Sequence, residues 1–425
     1  MEPDTKCPTA IDRGFYILHV LYGGPMNACP SLSGARWGQR PPDQRFDTVP
    51  ELRTALVHRR DRAHTRILEP AHIQAHPGTA GIVLEIDGEP MIPSAFAASQ
   101  ISIAVGLPAR AIQVLSPEIG SAALNERFER TLHDHSGLRP GTTLLLEDTP
   151  DGLTHLRGLQ SRSYSRTWDL DVFDDLIQPI LDAGYVPAAA SVHRPYADRA
   201  LFSSDRDLFC FLVRDTPSSD LPSPHGRPLR RGIVIRNSEV GGLSLQLRAF
   251  WFDSFCTNHM VFGGSMAVDL VEPHRVGKTP PLQRLLDRWH EVGGLAALEH
   301  GQPEEREAIR RAAQRVVARP SQSLREMDEE AVEAVAALAR RARVSSLLPR
   351  TLLRAGARRA RVYAAARHPE ATRTLDEREA VHFQGPGITL WHMACGITEV
   401  SQELSSHTDR RARVDAAIGR VLSAA

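Results

Sequence analysis

Two kinds of residue pattern divide this chain, and the division constrains the fold more than any single motif. Between residues 142 and 255, short apolar runs are separated by turn residues such as Thr-Pro-Asp-Gly (149–152) and the glycine pair 241–242. From about residue 280, apolar residues recur at the 3.6-residue spacing of helices. Hairpins with interspersed helices, followed by a helical stretch, predict an α+β protein. We expect a central antiparallel sheet with flanking helices, followed by a mainly helical C-terminal region.

Composition places the chain among ordinary globular proteins. Lys plus Arg and Asp plus Glu number 51 each, so no net charge points to a nucleic acid or a membrane surface. The five cysteines form no Cys-x-x-Cys pair, which argues against a disulfide framework or a zinc knuckle. No apolar run reaches the ~18 residues of a membrane span. We therefore predict a cytoplasmic protein with no membrane partner and no cofactor.

Three regions are predicted along the chain. Residues 1–45 are rich in Pro, Gly and Arg and lack periodicity, which is typical of a disordered lead-in that can be removed. Residues 46–275 form the α+β domain, with a hairpin around the Asp-Gly pair 87–88 and a helix over 169–184. Residues 276–425 form the helical region.

Residues 94–115 predict two short helices around Gly106. The spacing of their apolar residues is also that of a helix-turn-helix. However, Pro108 follows the turn, and only Arg110 and Gln113 would be available to contact bases. A plain helix pair packed on a sheet is therefore the favoured interpretation.

The sequence does not favour a metal site or a familiar catalytic motif. His72 and His76 stand four residues apart, as zinc ligands on a helix would, but Pro70 and Pro77 bracket them, so surface or turn histidines are favoured. The acidic run over 169–175 is explained by the positive end of a helix. Phosphate-loop, dinucleotide-binding, nucleophile-elbow and HExxH patterns do not occur in the sequence.

Three short motifs carry a resemblance to a known family. The first is RGLQSRSY, in the pattern Arg-x-x-x-Ser-x-x-Tyr; the second is GIVIRNSEVGG; the third is CTNHM. Their motif residues are, in order, Arg157, Ser161 and Tyr164; Asn237, Ser238, Glu239 and Gly241; and Cys256, Thr257 and Asn258. With these motifs the chain resembles the phage/plasmid-like family built on domain of unknown function 932, most closely over about residues 80–270.

The resemblance implies a setting in phages, plasmids and other mobile elements, and it implies no particular reaction. Two positions depart from the family pattern. His259 stands where Gly is usual, and Arg162 and Ser163 replace the usual acidic-then-basic pair before Tyr164. The second departure makes this segment more basic than is usual in the family.

The CTNHM stretch raises the question of catalysis. A Cys-Asn-His trio is able to support nucleophilic chemistry. Residues this close in sequence rarely reach the required geometry outside a helix, however, and relatives with Gly at position 259 would lack the histidine. We therefore predict that Cys256 is a buried structural thiol and favour a non-enzymatic protein.

Asn237, Ser238 and Glu239 have two interpretations. Asn and Ser form turns and hydrogen-bond nearby backbone, so the three residues can simply shape the hairpin. The alternative is a ligand or oligomer contact at the turn, and homo-oligomerisation is left open.

The RSYSR stretch suggests a nucleic-acid contact. If it lies on a strand, Arg162, Tyr164 and Arg166 share one face beside Arg157, and a basic-aromatic-basic face suits single-stranded nucleic acid. The alternative is a solvent-facing strand with one packed tyrosine. Residues 340–367 hold nine Arg and no Asp or Glu. This stretch is interpreted either as a second phosphate-binding face or as a solvated helix.

The leading hypothesis is a mobile-element protein that binds single-stranded DNA as an accessory in replication, recombination or repair. The first alternative is a binding or assembly protein without nucleic-acid affinity. The second is a metal-dependent hydrolase or nuclease that uses Asp and His residues.

Overall fold

A computed structural model gives the fold. It describes residues 44–68, 73–79, 81–109, 111–134, 141–150, 152–188, 200–214, 216, 229–252, 268–301, 303, 306–307, 310–311, 324–365, 388–404, 414, 417–418 and 420–421. Helices and antiparallel strands are mixed in its first part, and helices make up its C-terminal part. The predicted α+β class is confirmed.

The strands, in chain order, are β1 (Arg45–Phe46), β2 (Ala63–Ile67), β3 (Ile73–Gly78), β4 (Gly81–Ile86), β5 (Glu89–Pro93), β6 (Thr143–Asp148), β7 (Thr154–Gln160), β8 (Val186–Pro187), β9 (Leu201–Ser203), β10 (Leu208–Val213), β11 (Arg230–Asn237), β12 (Leu245–Phe252) and β13 (Asp269–Glu272).

The helices are α1 (Val49–Arg62), α2 (Ala95–Ala104), α3 (Ala111–Val114), α4 (Pro117–Asp134), α5 (Asp169–Val172), α6 (Gln178–Asp182), α7 (Pro281–Glu291), α8 (Gly294–His300), α9 (Leu324–Arg341), α10 (Arg350–Ala365) and α11 (Leu390–Leu404). A π-helical turn (Phe173–Ile177) joins α5 to α6, and a 3-10 turn (Ser345–Leu347) lies between α9 and α10.

The strands form two sheets where the sequence predicted one. The first has the order β1-β9-β10-β11-β12-β13, with β8 beside β10, and all its pairs are antiparallel. The second has the order β2-β6-β7-β5-β4-β3, in which only the β5–β7 pair is parallel. Because β1 pairs with β9, the predicted boundary between residues 45 and 46 falls inside the first sheet.

The first sheet carries the largest core of the α+β part. Side chains alternate across a strand, so Leu208, Cys210 and Leu212 of β10 pack on one face and Phe209 and Phe211 on the other. Helices α1, α5 to α8 and the π-helical turn cover the first of these faces. Burial of both faces explains why β10 is apolar at every position.

The second sheet is covered by α2, α3 and α4. Its β4–β5 hairpin turns at Asp87 (φ 54°) and Gly88 (φ 83°), which is the left-handed pair that a two-residue hairpin loop requires. The predicted helix pair is confirmed, and the Gln113 side chain donates to the Ala95 carbonyl and to Ser99 Oγ rather than facing outward as a base reader. Arg110 lies outside the described residues.

The helix predicted over 169–184 forms with one irregularity. Its centre is a π-helical turn, in which the Gln178 N–H bonds to the Phe173 carbonyl five residues earlier. Pro179, the next residue, has no N–H to donate to a carbonyl of the preceding turn. The wider π-helical turn therefore lies where an α-helical hydrogen bond would be missing. Gly184, at φ 91°, follows the end of the helix as predicted.

The C-terminal helices share a core with the first sheet. Residues of α9, α10 and α11 pack together with Leu229 and with Trp251 of β12. Arg231 of β11 donates to the Leu298 carbonyl at 2.6 Å, which ties the end of α8 to the sheet. Within the described part of the chain, no helix is long and apolar enough to cross a membrane.

Candidate functional site

Two of the sequence motifs meet where the two sheets join. Arg157 of β7 and Glu239, just after β11, are both buried, with guanidinium Nη2 2.8 Å from carboxylate Oε2. Glu147 of β6 approaches the same guanidinium at 3.5 Å. A side chain at Gly158 would come within 2.8 Å of Val240, so glycine allows this close approach. The Arg157–Glu239 pair is therefore an internal joint between the sheets.

Asn237 and Asp169 extend this joint. The Asn237 amide donates to Asp169 Oδ1 at 2.7 Å and to the Thr167 carbonyl at 2.9 Å. The Asp169 backbone N–H donates to Glu239 Oε1 at 2.9 Å, and Arg59 of α1 lies 4.0 Å from Asp169 Oδ2. Asn237 and Glu239 thus fix the start of α5, a long-range role beyond turn formation.

Ser238 keeps the local role predicted for it. Its hydroxyl accepts the Gly242 N–H at 2.8 Å within the turn and donates to the Arg206 carbonyl at 2.6 Å. Gly241 has φ 85°, the left-handed conformation that favours glycine, and a side chain there would touch the Tyr164 ring at 3.4 Å. The turn after β11 therefore supports the ring of Tyr164.

Burial and neighbouring charges shift the titration of this cluster. Burial, followed by the nearby Glu239 carboxylate, raises the pKa of Asp169 to about 8. Burial would also raise the pKa of Glu239, but Arg157 and Arg59 outweigh it and hold that pKa below its usual value. Burial lowers the pKa of Arg166 to about 10. One acid of the joint therefore favours its protonated form, while the other is held ionised.

Two segments, 161–166 and 273–278, lie side by side, and we call them the bridged segments. Tyr164 lies on the first of them. Tyr164 forms an isolated antiparallel bridge with Arg275, flanked by hydrogen bonds from Ser165 N to the His274 carbonyl and from Val276 N to the Ser163 carbonyl. The Tyr164 hydroxyl donates to the Ser238 carbonyl at 2.7 Å. The bridged segments are thereby anchored to the turn after β11.

The prediction that Arg162, Tyr164 and Arg166 share one face of a strand is wrong. Strand β7 ends at Gln160, so the alternation of side chains does not continue through these residues. Arg157, predicted beside them, is buried against Glu239. The polar atoms of Tyr164 and Arg166 bond inside the protein, Arg166 to Gln160 Oε1 and to the Glu239 carbonyl. Arg162 and Ser163 are exposed, and Ser161 bonds to the Ser163 hydroxyl.

The bridged segments carry three exposed cations: Arg162, Arg275 and Lys278. Among the residues that the structure describes, none of the three has an acidic group within ion-pair distance. The backbone pairing of the bridged segments places the three cations on neighbouring stretches of a chain with no net charge. We call these three residues the basic patch.

The arginine-rich stretch 340–367 differs from the basic patch. Three arginines of α10 pair with acids of the preceding helix α9: Arg350 with Glu333, Arg354 with Glu329, and Arg361 with Asp328. These partners lie on a neighbouring helix, so much of the charge on this face is already neutralised. This arrangement favours the solvated-helix interpretation of the stretch.

The sequence did not predict four residues of the joint in this role: Arg59, Glu147, Gln160 and Asp169. One of them left a signal. Asp169 stands three, four and seven residues before the buried Val172, Phe173 and Leu176, so a carboxylate lies on the apolar face of its helix. An acid in that position requires a buried polar partner.

No group of three or more His, Cys, Asp and Glu residues is placed to hold a metal ion in the described part of the chain. His76 lies on β3, 3.6 Å from Glu85, while His72 falls outside the described residues. Cys256, Thr257 and Asn258 of the third motif also lie outside them. The prediction of a structural Cys256 therefore stays a prediction.

Comparison of the chain with protein-family models, with curated proteins and with solved structures finds no match. The resemblance to the phage/plasmid-like family therefore stays a prediction from the motifs. Two of those motifs do meet in space, at the Arg157–Glu239 pair and at the Tyr164–Ser238 hydrogen bond.

Proposed function

We propose that this protein binds single-stranded nucleic acid without enzymatic activity. It would act in the cytoplasm as an accessory in replication, recombination or repair on a mobile element. The observation that carries the proposal is the basic patch, whose three exposed cations have no acidic partner among the described residues. The phosphates of a nucleic-acid strand would pair with these cations, and the counterions bound to those phosphates would be released.

The contrast with other surface arginines supports this role for the basic patch. Arg53, Arg130 and Arg350 are also exposed, but each has an acidic partner, respectively Asp174, Glu126 and Glu333. A cation already paired in this way gains less from a phosphate than an unpaired one. The basic patch is therefore the better candidate for backbone contacts.

The anchoring of the bridged segments also supports the proposal. Tyr164 joins one segment to the Ser238 carbonyl, and Arg284 of α7 donates to the Pro273 carbonyl of the other at 3.0 Å. Ligand contacts carried on a fixed scaffold lose less conformational entropy on binding than contacts on a loose loop. The buried joint would thus serve binding indirectly, by holding the patch in place.

A single strand suits the described surface better than a duplex. The helix-turn-helix candidate at residues 94–115 has a second helix of four residues, and its Gln113 side chain bonds internally. Contacts with phosphates alone do not require a helix in the major groove. We therefore assign single-stranded DNA as the ligand.

Retention of a labelled single-stranded DNA at several salt concentrations tests the proposal. Arg162→Ala, Arg275→Ala and Lys278→Ala in one variant should weaken binding, and the slope of log K against log salt should fall by about 2, roughly 0.7 per phosphate contact. The matched control is a variant with Arg53→Ala, Arg130→Ala and Arg350→Ala, which removes the same charge from paired surface positions.

Equal weakening in the two triple variants would overturn the basic patch as the site, since net charge alone would then explain it. Absence of binding by the unaltered protein at low salt would overturn the proposed function. The assembly-protein alternative would then be favoured.

A further inference from the structure

Two guanidinium groups lie over the ring of Trp168, which follows the segment 161–166 by two residues. Arg60 of α1 stands 3.7 Å from the centre of the indole ring, and Arg166 stands 4.8 Å from it. The ring is partly buried and packs against the small apolar cluster between the sheets that contains Phe96, Leu145 and Val240. Two like charges therefore share one aromatic ring.

The two arginines are held differently. Arg166 is fixed by hydrogen bonds to Gln160 and to the Glu239 carbonyl. Arg60 forms no hydrogen bond, and no ion pair within 4 Å, with any described residue; its guanidinium stacks on Trp168 and is attracted from farther away by the Asp171 carboxylate. Repulsion from Arg60 is also among the causes that lower the pKa of Arg166. Arg60 is thus the weakly held partner of the ring.

We infer that Trp168 is the base-stacking residue of the single-strand site and that Arg60 is its displaceable cover. This inference rests on the proposed function. A nucleobase would replace the Arg60 guanidinium on the ring, and the released cation would contact a phosphate of the same strand. Stacking of a base on an aromatic side chain is comparable in strength to a cation–π contact at a partly buried ring, and the released guanidinium gains a phosphate partner, so the exchange is favourable.

The position of Trp168 suits this role. It follows Arg162 by six residues on one continuous segment, so the two lie at most about 20 Å apart. A strand held by phosphates at the basic patch would therefore bring its next bases within reach of the ring. Arg166, fixed by its hydrogen bonds, would support the ring while Arg60 moves.

Tryptophan fluorescence isolates this residue. The other described tryptophans, Trp251, Trp289 and Trp391, are buried. Trp168→Phe keeps an aromatic ring and removes the emission of interest, so the difference between the unaltered protein and this variant reports on Trp168. Binding of oligothymidylate should quench that difference signal.

A second variant, Trp168→Leu, keeps an apolar contact and removes the stacking ring. It should bind oligothymidylate about tenfold more weakly, which is within the range for loss of one stacked base. For an abasic sugar-phosphate oligomer with the length and charge of the oligothymidylate, the affinity of Trp168→Leu should equal that of the unaltered protein. Melting curves establish that each variant is folded.

The outcomes separate the two proposals. The stacking role is overturned if oligothymidylate binds without quenching the emission of Trp168. It is also overturned if Trp168→Leu weakens the binding of oligothymidylate no more than that of the abasic oligomer. Either result leaves the basic patch as the proposed site. The quenching result stands on its own if Trp168→Leu does not fold. Absence of binding of either oligomer to the unaltered protein at low salt overturns both proposals.

Discussion

The guanidinium of Arg157 lies 2.8 Å from the carboxylate of Glu239, and this buried contact joins the two sheets of the protein. Arg157 belongs to the second sheet, while Glu239 follows a strand of the first. Both groups are removed from water, which is costly for charges unless each finds a partner. The pair therefore couples the packing of the two sheets.

Removal of one partner should be much worse than removal of both. Arg157→Met should cost about 3–5 kcal/mol in the free energy of unfolding, because Glu239 would remain buried without its main counter-charge. Addition of Glu239→Gln should recover part of that loss. Urea unfolding of the two single variants and the double variant measures the coupling.

The control for this cycle is Arg130→Met, which removes an exposed arginine paired with Glu126. We expect a change below about 0.5 kcal/mol there. A cost below about 1 kcal/mol for Arg157→Met would show that the buried pair does not hold the sheets together.

Asp169 should make stability depend on pH. Folding raises its pKa to about 8, through burial and then the Glu239 carboxylate, from an unfolded value of about 4. The folded state therefore binds this proton more tightly, and its contribution to the free energy of unfolding is lost as pH rises from about 4 to about 8.

Asp169→Asn mimics the protonated form and removes this titration. Relative to the unaltered protein, the variant should gain stability between pH 5 and pH 8, by on the order of 2 kcal/mol. Urea unfolding at several pH values across that window measures the difference. Parallel pH profiles for the two proteins would contradict the prediction.

Local patterns were sufficient to predict much of the secondary structure. The Asp87-Gly88 and Gly241-Gly242 hairpins and the periodic helices from residue 280 depend on neighbours in sequence, so the sequence contains their signals. The division into two sheets was not predicted, because strand order depends on contacts between distant segments.

The candidate site was harder to predict for the same reason. The Asp169 N–H bonds to Glu239 70 residues away, and strand alternation could not show that β7 ends at Gln160. Tyr164 instead pairs with Arg275, in a segment that carried no motif. Exposure of Arg275 and Lys278 on that segment is a property of the folded surface alone.

Tyr164 should contribute to stability and should not contact the nucleic acid directly. Its hydroxyl donates to the Ser238 carbonyl at 2.7 Å, and its ring lies against His274, with the ring centroids 5.2 Å apart. Tyr164→Phe should lower the free energy of unfolding by about 1 kcal/mol, the usual value of one hydrogen bond, and should change single-strand affinity only slightly, because the backbone bridge to Arg275 still holds the segment. Melting curves beside DNA retention measure both effects. A loss of affinity at unchanged stability would restore Tyr164 to the contact surface.

The crossing of α10 and α11 should tolerate no added methyl group. A side chain at Gly396 of α11 would collide with the Gly356 carbonyl and would lie 2.8 Å from the Ala360 nitrogen, both backbone atoms of α10. Backbone cannot move aside as a side chain can. Gly396→Ala should therefore destabilise the protein by about 3 kcal/mol, although alanine favours a helix more than glycine does.

Gly120→Ala in α4 provides the matched comparison. The nearest atom to its added methyl group is Ile82 Cδ1 at 2.6 Å, the end of a flexible side chain that can change rotamer. The gain in helix propensity, up to about 1 kcal/mol, should offset most of the cost at this position. Urea unfolding of both variants measures the contrast. Equal stabilities would show that the two C-terminal helices can separate at their crossing without cost to the core they share with Trp251.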